Sequence, residues 1–195
     1  LVGAFWQPSA VYVDVLTLET LPDRHLRAGL AEVIKYGVIL DAELFVNLED
    51  GLLESCLERV PEALMAVVER CLRLKAEVVR RDERESGPRE VLNFGHTIGH
   101  AIERCSGYEL LHGEAVAIGM AAEMQVGEAV GITEAGMAQR VAALCRRARL
   151  PAALPEGLSV RAVVEAARTD KKTRDGRPRC TLPATIGQVP GDGRA

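Results

Sequence analysis

Apolar residues recur at helical spacing along most of this chain. Leu26, Leu30 and Val33 lie three or four positions apart, and Pro22, just before them, suits the first turn of a helix. Loops are predicted where charged residues, Gly and Pro gather, as in residues 82–89. Further amphipathic stretches predict helices over residues 57–79, 93–105, 112–130, 133–148 and 160–168. The chain is therefore expected to be mainly α.

Two segments depart from the helical pattern. Residues 11–16 alternate apolar with polar or aromatic side chains and are rich in β-branched residues, which predicts a strand. Residues 177–189 predict a short extended segment. A single strand needs a sheet to join, and no neighbouring segment supplies one. We therefore interpret residues 1–20 as the remnant of an upstream α/β domain and residues 21–195 as a helical domain.

Composition narrows the class of protein. The 195 residues are 48% hydrophobic and 27% charged, as in a globular protein with a buried core. A net charge of −4 gives no reason to expect nucleic acid or an anionic membrane as partner, and no apolar run approaches the length of a membrane span. Five cysteines without a C-x-x-C pair argue against a disulfide framework or a thiolate zinc site, and favour a reducing cytosol.

Three of the four histidines lie close together in the sequence. His96 and His100 are four residues apart, so they share one face of the predicted helix, and His112 follows. Imidazoles on an apolar helix can reach a buried metal ion. A helix cap or a hydrogen-bonded core histidine explains any one of them equally well. The H-x-x-x-H spacing is weak by itself, because the zinc-protease motif requires Glu where this chain has Thr97.

Glu32 is the candidate carboxylate. It lies in an apolar helical stretch, three residues before Lys35, so the two side chains can face the same space. A surface ion pair is the alternative, but the neighbours Ala31, Val33 and Ile34 are unlike a solvated helix face. Four further basic residues could bind an anion, although a solvated charge explains each one alone: Lys75, Arg89, Lys171 and Lys172.

Four blocks of sequence, taken together and in order, resemble the 3-dehydroquinate synthase family. They cover nearly the whole chain, and their combination is far more specific than any one block. The first block comprises Phe5-Trp-Gln-Pro8, Val13-Asp14, Thr20-Leu-Pro22 and Ala28-Gly-Leu-Ala-Glu-Val-Ile-Lys-Tyr-Gly37. The second is Leu92-Asn-Phe-Gly-His-Thr-Ile-Gly-His-Ala-Ile-Glu103, and the third is Leu111-His-Gly-Glu-Ala-Val-Ala-Ile-Gly-Met120. The fourth comprises Asp170-Lys-Lys172, Leu182-Pro183 and Ile186-Gly187.

The resemblance implies a role for each candidate residue. Glu32, His96 and His112 correspond to the ligands of a divalent metal, Zn²⁺ or Co²⁺, with open positions for substrate. His100 and Lys35 correspond to catalytic positions. The implied substrate-binding residues are Lys75, Arg89, Asn93 and one of Lys171 and Lys172.

The resemblance also implies a reaction. The family converts 3-deoxy-D-arabino-heptulosonate 7-phosphate into 3-dehydroquinate and phosphate in the shikimate pathway, with NAD⁺ as redox cofactor. Family members bind NAD⁺ mainly in an N-terminal α/β domain, and no G-x-G-x-x-G loop follows a strand here. We therefore assign no cofactor-binding residue, expect the isolated chain to be inactive, and expect the complete protein to be a cytoplasmic homodimer.

Three other functions remain open. Cyclases that act on other sugar phosphates share the metal ligands, although Arg89 and Asn93 favour a carboxylated substrate. Metal-dependent polyol dehydrogenases share the architecture, but a neutral polyol does not call for so many basic groups. A non-catalytic metal-binding or dimerisation module is the third possibility.

Overall fold

The computed structural model describes residues 6–84, 87–168 and 179–191. These residues contain eight α-helices and three short segments of other helical types. The α-helices are α1 (Asp23–Leu40), α2 (Ala42–Asn47), α3 (Leu53–Leu57), α4 (Pro61–Arg81), α5 (His96–Cys105), α6 (His112–Ala129), α7 (Met137–Arg147) and α8 (Val160–Arg168). The other segments are the 3₁₀ helices Val15–Thr20 and Pro88–Asn93 and the π-helical turn Leu48–Leu52.

The predicted mainly helical fold is confirmed in its main elements. The helix predicted over residues 160–168 has those bounds, and the long stretch over residues 57–79 becomes α4. The predicted start of α5 at Asn93 is wrong by three residues. The helix starts late because Gly95 has a φ of +75°, in the left-handed region. This residue separates the preceding 3₁₀ helix from α5.

The strand predicted over residues 11–16 is wrong. Residues 6–14 have no regular structure, and residues 15–20 form a 3₁₀ helix, with the Asp14 carboxylate accepting the Leu16 N–H at 2.9 Å. A strand needs a hydrogen-bonded neighbour. Among the described residues, the sole β-pairing is an isolated antiparallel bridge between Thr185 and Gln188. The alternation was present in the sequence, but no other segment that the structure describes pairs with these residues as a strand.

Helix α6 forms the centre of the molecule. Its apolar residues are not confined to one stripe, which is typical of a helix enclosed by others, and it packs against α1, α5 and α7. Small residues dominate it, so the neighbouring helices approach closely. The large side chains that complete the core come from the surrounding elements: Ile34, Ile39, Leu44, Phe45, Leu48, Leu53, Phe94, Ile102 and Leu144 are all fully buried.

The tail segment (residues 179–191) crosses several helices and is held mostly by backbone groups. The Thr97 hydroxyl donates to the Arg179 carbonyl at 2.6 Å, and the Thr133 hydroxyl donates to the Pro183 carbonyl at 2.6 Å. The Gly187 N–H donates to the carbonyl of Val38 in α1 at 2.7 Å. These bonds attach the tail segment to α5, to the α6–α7 connection and to α1.

The cysteines and the lengths of the helices bear on two predictions from the sequence: that the chain has no disulfide framework or thiolate metal site, and that it has no membrane span. All five cysteines are free thiols, and none belongs to a cluster of possible metal ligands in the described part of the chain. Within the same residues, no helix combines the length and the apolar character needed to cross a bilayer.

Candidate metal centre

One carboxylate and two imidazoles from three helices meet at one point. Glu32 lies in the middle of α1, while His96 and His112 are the first residues of α5 and α6. The Nε2 atoms of both histidines are 3.5 Å from Glu32 Oε1, and one potential ligand atom from each residue lies within 4.8 Å of the others. Metal–ligand bonds of about 2 Å put tetrahedral ligand atoms a little over 3 Å apart, so small side-chain adjustments would accommodate one ion.

The Glu32 carboxylate fits a cation on independent grounds. Its Oε2 atom accepts from Lys35 Nζ at 2.6 Å, whereas Oε1 is buried and has no hydrogen-bond donor. Burying a carboxylate oxygen without a partner is costly, and a cation between the two imidazoles would satisfy it. This unsatisfied oxygen is the point on which the two Nε2 atoms converge.

Both imidazoles have the orientation that a metal ligand needs. His96 Nδ1 lies 3.0 Å from the Phe94 carbonyl oxygen, and His112 Nδ1 lies 3.2 Å from Glu103 Oε1. Each acceptor assigns the ring proton to Nδ1, which leaves the lone pair of Nε2 directed toward Glu32. A carbonyl or carboxylate behind a metal-bound histidine is a common arrangement, because it fixes the tautomer and the ring plane.

The titration behaviour of the three groups suits a cation. Burial opposes ionisation of Glu32, but the adjacent His112 imidazole and Lys35 ammonium outweigh it and lower the pKa of Glu32 to about 2. Burial, helped by the charge of Lys35, lowers the pKa of His96 to about 4. The Glu32 carboxylate raises the pKa of His112. At neutral pH the site therefore offers an anionic oxygen and a neutral imidazole, and His112 is the group whose proton competes with a metal ion.

The two candidate catalytic residues flank this centre. Lys35 is only 4% exposed and forms the ion pair with Glu32. The ring of His100 lies 5.4 Å from the ring of His96 and 5.9 Å from that of His112, centroid to centroid. His100 thus faces the same space as His96, one helical turn further along α5.

The candidate substrate-binding residues are more dispersed. Arg89 is half-buried in the 3₁₀ helix before α5 and donates Nη1 to the Glu83 carbonyl at 2.8 Å, while Asn93 ends that same 3₁₀ helix. Lys75 is exposed on α4 and forms no ion pair with another described residue. Lys171 and Lys172 lie outside the described residues.

Glycines allow the three ligand-bearing helices to approach. A Cβ on Gly113, next to His112, would lie 1.9 Å from the Ala28 carbonyl oxygen, so α6 begins in direct backbone contact with α1. A Cβ on Gly119 would lie 2.0 Å from the Gly95 carbonyl oxygen, which places α5 equally close to α6. These contacts fix the spacing of the metal centre, because larger residues would force the helices apart.

Two acidic residues near the centre were not identified from the sequence. Glu103 lies three residues after His100 and supports His112, and this helical spacing on a histidine-bearing face was a usable signal. Glu123 is fully buried in α6, and burial raises its pKa to about 8 although backbone N–H groups partly oppose this. Its position in an otherwise apolar run was the signal that sequence reasoning overlooked.

The fold and this site define a helical domain with a candidate His₂Glu metal centre. The family model described as 3-dehydroquinate synthase C-terminal matches residues 29–173. The chain belongs to this family.

Relatives named 3-dehydroquinate synthase are similar to most of this chain. The 3-dehydroquinate synthase of Synechococcus sp. is 49% identical over 191 residues, which is 97% of this chain and 52% of the relative. That of Geotalea uraniireducens is 50% identical over 177 residues, which is 90% of this chain and 49% of the relative. The chain therefore spans about half the length of the curated relatives it matches.

Solved structures of sugar phosphate cyclases share the fold. A 2-epi-5-epi-valiolone synthase from Streptomyces hygroscopicus, solved with NAD⁺ and Zn²⁺ bound, has a TM-score of 0.80 and 33% identity, over 90% of this chain and 49% of its own. A 2-deoxy-scyllo-inosose synthase complexed with carbaglucose-6-phosphate, NAD⁺ and Co²⁺ has a TM-score of 0.82 and 26% identity, over 97% of this chain and 53% of its own.

Proposed function

We propose that this chain is the metal- and substrate-binding part of a 3-dehydroquinate synthase, which converts 3-deoxy-D-arabino-heptulosonate 7-phosphate into 3-dehydroquinate and phosphate. The observation that carries the proposal is the convergence of His96 and His112 on the unsatisfied Oε1 of Glu32, in a chain of this family. The names of the relatives support the particular reaction.

In this proposal Glu32, His96 and His112 hold one Zn²⁺ or Co²⁺ ion. Bound there, the metal would act as a Lewis acid toward a substrate oxygen. NAD⁺ would take up a hydride and return it, and no residue of this chain is assigned to binding it. The similar valiolone synthase was solved with NAD⁺ and Zn²⁺ bound, and the similar inosose synthase with NAD⁺ and Co²⁺.

The remaining residues bind the substrate and move protons. The substrate carries a carboxylate and a phosphate, so it calls for cations, and Arg89 and Asn93 lie in the 3₁₀ helix that leads into α5. Lys75 and one of Lys171 and Lys172 are assigned to the same role. His100 has its ring within 6 Å of both ligand imidazoles, so it is placed to transfer a proton beside the metal.

Lys35 couples the metal ligand to the substrate side of the site. Together with His112, its buried ammonium keeps Glu32 ionised and lowers the pKa of that carboxyl to about 2. An ammonium that is almost inaccessible to water also interacts more strongly with a substrate anion than an exposed lysine does. The ion pair with a proposed metal ligand supports the place that the family resemblance gives Lys35 among the catalytic residues.

The alternative is a cyclase that acts on another sugar phosphate. The similar structures of a valiolone synthase and an inosose synthase keep this reading open. The sequence identities favour 3-dehydroquinate synthase over both of these cyclases, because the relatives of that name are 49% and 50% identical to this chain whereas the two cyclases are 33% and 26% identical.

A chimera tests the proposal. Joined to the N-terminal part of the Synechococcus relative, this chain should release phosphate from the heptulosonate phosphate when NAD⁺ and Zn²⁺ are supplied. The same chimera with His112→Ala should lose the metal and the activity, and one with His25→Ala, which alters an exposed histidine of α1, should keep both. A folded chimera that binds Zn²⁺ but turns over only other sugar phosphates would assign the chain to the alternative.

A further inference from the structure

Helix α5 begins beside the candidate centre without a cap of its own. Good N-cap residues use a short side-chain oxygen to accept N–H groups of the first turn. The N-cap position of α5 is Gly95, where a Cβ would lie 2.6 Å from Met120 Cγ and 2.9 Å from the Val116 carbonyl oxygen. Its φ of +75° also disfavours any side chain. The close contact with α6 therefore leaves the first N–H groups of α5 without a local acceptor.

Glu123 of α6 supplies the missing acceptor from across the helix interface. Its carboxyl is fully buried, with Oε2 2.8 Å from the Gly95 nitrogen and Oε1 3.4 Å from the Ile98 nitrogen. A buried carboxyl group is costly unless it is hydrogen-bonded, and these amides are its partners. Both the neutral and the ionised carboxyl offer oxygens that accept, so the contact does not depend on one protonation state.

The same peptide group joins Glu123 to the metal ligand His96. The Gly95 N–H donates to Glu123 Oε2, and the carbonyl on the other side of that peptide bond, Phe94 C=O, accepts from His96 Nδ1 at 3.0 Å. A peptide bond is planar, so its N–H and C=O directions are fixed relative to each other. Glu123 therefore sets the plane of the group that orients the His96 ring.

We propose that Glu123 is a positioning residue for the metal centre, which fixes the Phe94–Gly95 peptide and through it directs His96 Nε2 toward Glu32. The inference rests on the proposed metal centre. It assigns a role to a buried carboxyl that neither binds the metal nor touches substrate. Support of this kind behind a metal-bound histidine typically changes metal affinity by about ten-fold to a hundred-fold.

Two variants separate the reach of the side chain from its charge. Glu123→Gln keeps the length of the side chain and one carbonyl oxygen for the Gly95 N–H. Glu123→Asp keeps the carboxyl but shortens its reach by one methylene. Glu128→Asp is the matched control, because Glu128 accepts the Ala138 N–H at 2.8 Å and so caps α7 from the same helix α6. Helix α7 carries no candidate ligand.

The measurement is titration of the 195-residue chain with Co²⁺, followed by the visible absorption of the bound ion. We expect Glu123→Asp to weaken Co²⁺ binding by about ten-fold or more, and Glu123→Gln and Glu128→Asp to stay within about three-fold of the unaltered chain. Folded Glu123→Asp protein with unaltered affinity would overturn the proposal. The proposal would also be overturned if folded Glu123→Gln protein lost as much Co²⁺ affinity as a variant that lacks a metal ligand, such as His96→Ala. This second measurement still tests the proposal if Glu123→Asp does not fold.

A second readout distinguishes this inference from the proposed metal centre. If the unaltered chain does not bind Co²⁺, the metal centre itself is wrong. In that case ¹⁵N NMR of the His96 ring in the metal-free chain decides the role of Glu123. Loss of the Nδ1–H signal in Glu123→Asp but not in Glu123→Gln supports positioning of the ring, whereas a signal that persists in both variants refutes it.

Discussion

At the scale of single residues, Glu103 holds the second imidazole of the centre. Its Oε1 atom is 3.2 Å from His112 Nδ1, and no other acceptor among the described residues contacts that nitrogen. Glu103→Ala should lower Zn²⁺ affinity by about ten-fold to a hundred-fold, because His112 loses the group that fixes its tautomer. Competition with a chromophoric chelator measures the affinity. Glu109→Ala, at an exposed position after α5, should leave it unchanged.

The pKa of His96 predicts how the metal-free chain responds to acid. Burial and the charge of Lys35 lower that pKa from 6.5 to about 4. Below about pH 6.5 the unfolded chain takes up a proton on this imidazole and the folded chain does not, so folding becomes less favourable. His112, whose pKa is raised, contributes its stabilisation fully below the same pH and does not offset this loss. Glu123 opposes it, because its pKa is raised to about 8, so the folded chain holds a proton on this carboxyl that the unfolded chain releases.

We therefore expect the contribution of His96 to the free energy of unfolding of the metal-free chain to fall by about 1 to 2 kcal/mol between about pH 6.5 and 5. Urea unfolding of the unaltered chain and of His96→Gln at a series of pH values measures this contribution as the difference between the two. The difference should shift by that amount over this range, while His25→Gln, at an exposed histidine of α1, should follow the pH dependence of the unaltered chain. The same pH dependence in His96→Gln and in the unaltered chain would show that His96 does not cause the loss.

The sequence was more informative about the metal ligands than about the contacts that orient them. The spacing of His96 and His100 and the apolar setting of Glu32 could be seen along the chain, and the family resemblance joined them to His112. Glu123 is different, because it contacts Gly95 from another helix. No periodicity within α6 reveals which backbone amide lies opposite a given side chain, since that depends on the packing of α5 against α6.

At the scale of elements, the contact between α1 and α6 sets the geometry of the centre. Gly113 follows His112, and a Cβ there would lie 1.9 Å from the Ala28 carbonyl oxygen. Gly113→Ala should force the two helices apart, lower stability by about 1 to 3 kcal/mol and weaken Zn²⁺ binding. Thermal unfolding and zinc titration measure the two effects.

A control for this prediction lies on the opposing helix. A Cβ on Gly29 of α1 meets nothing within 4 Å, so Gly29→Ala should be neutral or stabilise the chain by about 0.5 to 1 kcal/mol. Both variants replace a helical glycine by alanine, so helix propensity is matched. If Gly113→Ala proved as stable and as tight a zinc binder as Gly29→Ala, backbone contact would not be what determines the spacing of the ligands.

Long periodic helices were predictable, and short elements were not. The connection between α1 and α4 contains α2, a π-helical turn and α3, none of which was predicted. Their buried side chains, Leu44, Phe45, Leu48 and Leu53, fill the space beside α1 rather than forming one continuous stripe. The φ of +116° at Gly51 breaks the helical period, so a periodicity search sees only fragments there. The predicted strand failed for the opposite reason, because its local pattern was regular but no described segment pairs with it.

At the scale of the whole molecule, the candidate centre opens toward solvent. The His112 side chain is 47% exposed, and that of Glu32 is 34% exposed. The chain also spans about half the length of its curated relatives. We predict that the purified chain binds Zn²⁺ but releases no phosphate from the heptulosonate phosphate in the presence of NAD⁺, because hydride transfer requires a nicotinamide held against the substrate.

A phosphate-release assay beside the chimera described above tests this prediction. The chimera is the positive control, and the chain with His96→Ala is the control for metal-dependent background. Turnover by the chain alone at a rate near that of the chimera would mean that residues of this chain suffice to hold the cofactor.

The hydrogen bond between Gly187 and Val38 has a consequence for synthesis of the protein. It joins the first long helix to a residue near the end of the tail segment, and the Thr97 and Thr133 contacts bring the same segment against helices made in between. During translation the N-terminal helices emerge many seconds before residue 187, given elongation at about 5–20 residues per second. The nascent helices can pack on one another during this interval, but their hydrogen bonds to the tail segment form only after that segment has left the ribosome.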